Sequence, residues 1–472
     1  MNAYADFLDR KISTSRPSGI EADGRLCAAL KPFQRDLVAW ALRRARAALF
    51  ASTGLGKTLM QLAWADAVER HTGGQILDLT PLAVAEQTIA EAGKFGITGC
   101  AYARDQAEAD RAAGGRVVVT NYERFESFDI SRYAGIILDE SSIIKAHDGK
   151  TRAMLIKACA DVPYKLCCTA TPAPNDWREL GNHAEFLDAM SEKEMLAMFF
   201  VHDGSMRANS TSDWRLKGHA TRAFWEWVSS WAALIRHPQD LGYHEPGYDL
   251  PPLHMHQITV PTSGHPADDL FACYAAGPMT LRERIAARRD TVNDRVAATA
   301  TLVNAKPDRP WLVWCNLNAE SEGLVRAIPG AVEVRGTDDA KVKTLNLLGF
   351  AGGAPRVLVT KPSIAGFGMN WQHCADMAFV GLNDSFEQLY QAIRRCWRFG
   401  QTRPVNAYLV ASDREGAVVN NLMAKERAHE EMSGAMLEFM RDITRRTVST
   451  APPRHSDYRP TVPMEIPQWL MT

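Results

Sequence analysis

Ala47-Ala48-Leu49-Phe50-Ala51-Ser52-Thr53-Gly54-Leu55-Gly56-Lys57-Thr58 reads as three pieces in succession: an apolar strand, a glycine-bearing turn and the start of a helix. The helical pattern runs from 58 to about 70 and stops at Gly73-Gly74, where glycine accepts the left-handed conformation that ends a helix. Glycines between a strand and a helix let the backbone curl so that its N–H groups face one point, and the helix N-terminus adds the positive end of its dipole. That point suits a phosphate. Lys57 would reach the β- and γ-phosphates of a nucleotide and Thr58 would ligate Mg²⁺, while Ser52, Thr53, Gly54, Leu55 and Gly56 form the cradle. Ala51 stands where such loops usually carry their first glycine. The plainer alternative is a Gly-rich turn with an incidental Lys-Thr, which gives no reason for the strand before it and the helix after it.

Outward from this loop, short apolar runs at 76–79, 117–120, 136–138 and 166–169 alternate with helix-length segments. That rhythm predicts a parallel sheet with helices on both faces, within a first unit spanning 1–185. Residues 186–305 are rich in Trp, Met and Arg with few strand signals, and are expected to form a helical insertion with a Pro-rich connector at 237–252. A second α/β unit, 306–412, is predicted from runs at 311–315, 332–334, 356–360, 378–380 and 405–410. A long amphipathic helix over 416–446 and an irregular Pro-rich tail from Ala451 complete the chain as a segment 413–472.

The bulk numbers agree with a protein of several domains. The 472 residues exceed one core. A formal charge of -1 leaves no global basic field, so any nucleic acid must be held by local patches. Nine cysteines without a C-x-x-C pair suggest neither a disulfide framework nor a zinc ribbon, and fit a reducing cytosol. The charged N-terminus and the absence of a run of ~18–20 apolar residues predict a soluble, cytoplasmic protein with no membrane contact.

Two further stretches carry chemistry. Ile136-Ile137-Leu138-Asp139-Glu140 is an apolar strand ending in two carboxylates. A solvated strand end would explain the pair alone; downstream of a phosphate loop, Asp139 is expected to hold Mg²⁺ and Glu140 to orient and deprotonate water. Gln391-Ala392-Ile393-Arg394-Arg395-Cys396-Trp397-Arg398-Phe399-Gly400-Gln401, read as a helix, places 391, 394, 395 and 398 on one face. Cys396, Trp397 and Phe399 interrupt the charges, so the face is expected to be partly buried and to need an anion, with an ATP γ-phosphate across a cleft as the candidate.

The order of these motifs resembles the superfamily 2 helicase-like ATPases, and within them the Swi/Snf-type DNA translocases, over roughly residues 30–412. Leu30-Lys31-Pro32-Phe33-Gln34 is similar to the family's adenine-reading element, with Gln34 on the base. Thr80-Pro81 and Val119-Thr120-Asn121-Tyr122-Glu123 match two nucleic-acid-contacting motifs. Asp139-Glu140-Ser141-Ser142 takes the Walker B place, and Thr169-Ala170-Thr171-Pro172, continuing to Asn175, resembles the coupling motif. Gly366-Phe367-Gly368-Met369-Asn370 is similar to the Gly-rich motif of the second lobe, and the Q-A-x-x-R-x-x-R-x-G-Q pattern is matched in full, with Arg395 and Arg398 as finger arginines.

The resemblance implies an α/β fold of two tandem RecA-like lobes with Mg²⁺-ATP between them. It implies that Gly368 and Gln391 border the nucleotide and that Thr80, Pro81, Asn121, Tyr122, Thr360, Lys361 and Asn370 touch nucleic acid. The implied activity is ATP-driven movement on DNA, double-stranded DNA favoured, in a compact form of bacterial or phage type. A strand-separating helicase on single strands or RNA, and an ATP-switched DNA clamp with little turnover, are the alternatives. Departures are Leu382-Asn383-Asp384-Ser385-Phe386, where relatives have Trp-Asn-Pro, and Arg394, where many carry Gly or Asp. The Pro-rich tail is a candidate for binding a protein partner.

The remaining clusters have bland readings at least as good. Arg282, Arg284, Arg288, Arg289 and Arg295 could track phosphates or pair with Glu283, Asp290 and Asp294. Trp225, Trp227 and Trp231 are expected in the core rather than stacking on bases. His254 and His256 make a poor zinc site.

Overall fold

The structure, a computed structural model, describes residues 18–81, 84–112, 115–145, 149–173, 177–202, 214–261, 288–365, 369–381, 385–413 and 416–448. Asn175, Gly366–Gly368, Leu382–Asp384, Arg282, Arg284 and the tail from Ala451 lie outside the described residues.

Two parallel sheets flanked by helices form two tandem RecA-like lobes. The first sheet comprises β1 (Arg46–Ala51), β2 (Gln75–Thr80), β3 (Cys100–Tyr102), β4 (Val117–Asn121), β5 (Tyr133–Asp139), β6 (Tyr164–Thr169) and, after a small hairpin of β7 (Phe200–His202) with β8 (Trp214–Leu216), β9 (Ala232–Ile235). Its order is β3-β4-β2-β5-β6-β1-β9. The second contains β10 (Leu253–Val260), β11 (Trp311–Cys315), β12 (Ala331–Glu333), β13 (Val357–Thr360), β14 (Asp376–Val380) and β15 (Val405–Ser412), ordered β10-β15-β14-β11-β13-β12. Central strands such as β1, β5 and β11 are buried on both faces, which is why they appear in the sequence as unbroken apolar runs. Parallel order brings their C-terminal ends, and therefore Ala51, Asp139 and Thr169, to one edge of the first lobe.

The segment 186–305, expected to be helical, supplies an outer strand to each sheet. β9 escaped the sequence because Ala232–Ile235 follows Trp231, the last residue of the buried helix Thr221–Trp231, with no residue between them, and periodicity cannot divide the short apolar run 231–235. β10 pairs with β15 along its whole length, and its His256 bonds to Asn406 and stacks on Tyr408. Trp225, Trp227 and Trp231 are buried in the first core, as their composition predicted.

The helix Gly416–Val448 leaves β15 and packs on β9 and on the helix Thr221–Trp231. Its Leu422 enters the core of the second lobe, whereas Met436 and Met440 enter that of the first. No described helix is long and apolar enough to cross a membrane.

Arg295, considered as a phosphate contact or a surface charge, is neither. Its guanidinium and the Glu320 carboxylate are fully buried 2.6 Å apart. Glu320 also accepts the backbone N–H groups of Asn316 and Leu317 at 2.8 and 2.9 Å, and Arg295 donates to Thr291 Oγ1 and the Arg288 carbonyl. Every charge in this network has a partner. Truncating Arg295 to Ala strands the Glu320 charge and is expected to destabilise the second lobe by about 3–5 kcal/mol, read as a lowered denaturation midpoint; an unchanged midpoint contradicts the account.

His183, on the helix Glu179–Phe186, lies edge-on to Phe50 of β1 and shares a 3.1 Å hydrogen bond with the Ser141 hydroxyl. Burial lowers its pKa from 6.5 to about 4. Between those values the unfolded chain binds a proton that the folded chain refuses, so stability falls as pH drops from 6.5 toward 4. His183→Asn is expected to flatten part of that slope in urea titrations at pH 7, 6 and 5. An identical slope in the variant assigns the pH dependence elsewhere.

Candidate nucleotide site between the lobes

β1 delivers the chain to the cleft, and the Ser52 N–H extends its pairing by donating to the Ile235 carbonyl of β9 at 3.0 Å. Gly54 and Gly56 take φ of +92° and +79°, the left-handed region that a side chain strains, and the helix Lys57–Thr72 begins immediately after. The Lys57 ammonium donates to the Ala51 carbonyl at 3.0 Å, across the mouth of the loop. Thr53 Oγ1 is buried with no partner among the described residues.

Gln34 props the loop from outside. Its Oε1 accepts the Lys31 N–H at 2.8 Å, and its Nε2 donates to the Leu55 carbonyl at 2.7 Å. A Cβ on Gly56 would stand 2.3 Å from that Nε2, so a side chain here would push Gln34 off the Leu55 carbonyl besides straining the backbone.

Asp139 closes β5 beside the loop. Gln61, one helical turn after Lys57, donates to Asp139 Oδ1 at 2.7 Å, and the Tyr122 hydroxyl donates to the Asp139 carbonyl at 2.7 Å. Burial pushes the Asp139 carboxyl up to about 6, with the neighbouring Glu140 adding to the shift. Glu140 has φ +50°, rare for a residue with a side chain and strained by roughly 1–2 kcal/mol. Its Oε2 accepts from the Thr169 hydroxyl at 3.4 Å, linking the ends of β5 and β6.

Asp78 of β2 was missed. It is wholly buried, both its carboxylate oxygens lack partners among the described residues, and burial together with Asp139 drives its pKa well up. The available signal was an acid inside an otherwise apolar strand. Gln61 and His183 could have been suspected only from their contacts.

On the second lobe the arginine stretch departs from expectation. The helix Phe386–Ile393 ends before the arginines, so 391–401 is not one helical face. From Arg395 to Gln401 the N–H groups bond mostly three residues back, and the Arg395 carbonyl accepts the Trp371 N–H at 2.9 Å. Gln401 then ties the carbonyls of Cys374 and Cys396 at 3.0 and 3.2 Å. These outside partners replace the helical ladder, and Arg395 and Arg398 converge on the Met369 carbonyl while Arg394 lies over the rings of Tyr390 and Trp397.

Arg395 bonds the Gln391 carbonyl and Oε1 at 3.1 and 3.3 Å and the Met369 carbonyl at 3.3 Å. Burial, then Arg398 beside it, lowers its pKa to about 10, while Glu140 and Asp139 of the opposite lobe oppose the shift. Arg398 bonds the Met369 carbonyl at 3.5 Å; burial lowers its pKa too, opposed by Glu91 of the first lobe. Gln391 is buried, with Nε2 lacking a partner among the described residues. Gly368 lies outside the described residues. The lobes touch here: a Cβ on Gly54 would lie 3.1 Å from the Phe399 nitrogen, and the Phe399 ring sits 4.7 Å from that of Tyr248.

The residues expected to meet nucleic acid lie at or directly after the ends of β2, β4 and β13, except Asn370, which precedes β14. Thr80 and Thr360 are buried and bonded within their own lobes. Asn121 accepts from Tyr102, Tyr122 is committed to Asp139, and Lys361 donates to Asn318 at 2.6 Å. Pro81 is partly exposed at the end of β2, and Asn370 is exposed.

A search of curated proteins finds no match to this chain. A family model does match: residues 31–180, which contain β1 to β6, the phosphate loop and the Asp139-Glu140 pair, match the DEAD/DEAH box helicase family.

Proposed function

We propose that this chain is an ATP-driven translocase or helicase of Swi/Snf type acting on DNA, double-stranded DNA favoured. The observation that carries the reading is the division of one charge set between two bodies. Acids and the phosphate loop stand on the first lobe, and Arg395 and Arg398 approach them from the second.

Lys57 would hold the β- and γ-phosphates, with the loop N–H groups around them. Thr58 and Asp139 would hold Mg²⁺, which supplies positive charge to the phosphate oxygens. The donor set fits that ion. No group of three or more His, Cys, Asp or Glu among the described residues could cage a metal, and Mg²⁺ bound through phosphates needs only one or two carboxylates. The buried Asp139, protonated more readily than an ordinary carboxylate, is also the kind of group that a cation would stabilise in its charged form.

Glu140 would accept the proton of the attacking water, and Arg395 and Arg398 would meet charge building on the γ-phosphoryl oxygens. Thr80, Pro81, Asn121, Tyr122, Thr360, Lys361 and Asn370 are proposed to shape the nucleic-acid track, the buried members by fixing strand ends. Opening and closing of the lobes would then move the chain along that track.

The deciding experiment is steady-state ATP turnover with and without duplex DNA. Stimulation of several-fold is expected, and its absence with every nucleic acid tested rejects the reading. Lys57→Ala and Glu140→Gln are expected to lower kcat by at least ~100-fold; Glu140→Gln with full activity removes Glu140 as the base. Arg398→Ala is expected to lower kcat roughly a thousandfold with a much smaller change in ATP affinity. A variant impaired only in affinity assigns Arg398 to binding instead.

A further inference from the structure

Beside the catalytic groups, a cavity of about 260 Å³ lies between the ends of β1, β6 and β9 on one lobe and the helices Phe386–Ile393 and Gly416–Val448 on the other side. Its lining includes Ala170 and Pro172, directly after the Thr169 that bonds Glu140, and Arg394, directly before Arg395. About 10–15 Å³ suffices for one water, so a small hydrated anion fits with room to spare. A second cavity, about 270 Å³, borders the phosphate loop at Ser52–Leu55. The two share Ser52, Arg236, Arg394 and Trp397, so they meet at those residues.

Arg394 is the residue on this passage whose chemistry is unspent. It is nine-tenths buried, and its Nε has no partner among the described residues. Its guanidinium meets the rings of Tyr390 and Trp397 at 4.9 and 4.3 Å, which fixes the cation without neutralising it. Arg395 and Arg398, by contrast, are bonded to Gln391 and Met369. Arg236 brings a second cation to the same junction from the opposite lobe. Glu426 and Glu430, the carboxylates that share Arg394's cavity, make no ion pair with Arg394 among the described residues, so an arriving anion finds that cation unpaired.

The other charges on the walls have the opposite sign. Glu426 and Glu430, from the helix Gly416–Val448, line the first cavity, and Asp249, 3.3 Å from the His237 ring, lines the second. Burial, and then Glu430, raises the pKa of the half-buried Glu426.

We propose that this passage is the exit route of inorganic phosphate, with Arg394 as its receiving site. The inference rests on the ATPase reading above. Once water has added to the γ-phosphorus and the bond to ADP has broken, phosphate and ADP share a cleft across which Phe399 meets Gly54. Arg394 and Arg236 draw the phosphate sideways out of the cleft. The carboxylates on the far wall oppose a lasting stay, so the anion is passed on rather than stored. The position at which many relatives of the resembled family carry Gly or Asp thereby serves product release, not the chemical step.

The test uses the full chain with ATP, Mg²⁺ and duplex DNA. Acid quench-flow measures phosphate formed, and a fluorescent phosphate-binding protein measures phosphate released. Arg394→Gln is expected to slow release relative to formation by roughly tenfold, the loss of one charged hydrogen bond, and Arg394→Lys to restore most of the rate. An unchanged ratio of release to formation in Arg394→Gln overturns the inference. So does a rate that Lys fails to restore, because packing rather than charge would then be at work. If Arg394→Gln does not fold, Arg236→Gln replaces it, with the same slowing expected and an unchanged ratio again contradicting the route. Failure of the unmodified chain to form any phosphate rejects the ATPase reading itself, and the inference with it.

Discussion

The cleft is organised by charge that neither lobe can neutralise alone. The first lobe buries Asp78 and Asp139 next to a strained Glu140, and burial raises the pKa of both aspartates. The second lobe buries Arg395 and Arg398, whose pKa values burial lowers. Each set is unfavourable in isolation, since a desolvated charge seeks its neutral form. Bringing the lobes together lets Glu140 and Asp139 support Arg395, and Glu91 support Arg398. A nucleotide with its cation would fit the same unmet demand from both sides.

The fold meets this constraint through strand direction. Parallel strands collect their C-terminal ends on one edge, so a phosphate loop after β1, an acid pair at the end of β5 and Thr169 at the end of β6 become neighbours although far apart in sequence. Local hydrogen bonds then hold the pieces in place. Gln34 fixes the Leu55 carbonyl, Gln61 fixes Asp139, and Tyr122 fixes the strand end that carries both acids. These supports are uncharged side chains, two of them carried by the helices Pro32–Arg44 and Lys57–Thr72.

Strands buried on both faces were legible as apolar runs, and the phosphate loop and acid pair were legible because glycine and carboxylate are costly at those positions unless used. The fate of the arginine stretch was not. A helical reading of 391–401 is locally consistent, and only tertiary partners, Trp371 for the Arg395 carbonyl and Gln401 for two others, break the ladder. β9 was hidden for a related reason, since Ala232–Ile235 runs on from a buried helix with no turn residue between them. Arg295 looked like surface charge because the sequence does not reveal the Glu320 that closes its network. The buried Asp78 carried a visible signal, an acid between apolar neighbours.

The chain passes between the lobes twice, first from β9 to β10 and again along the helix Gly416–Val448, which is anchored in both cores. A body tethered at one point can tumble about it, whereas one tethered at two turns about the line that joins them. The double crossing therefore turns a loosely linked pair into a hinged one, with a single swing as its easy motion. A cleft between bodies joined in this way opens and closes along one direction, which is written into the path of the backbone rather than into any side chain.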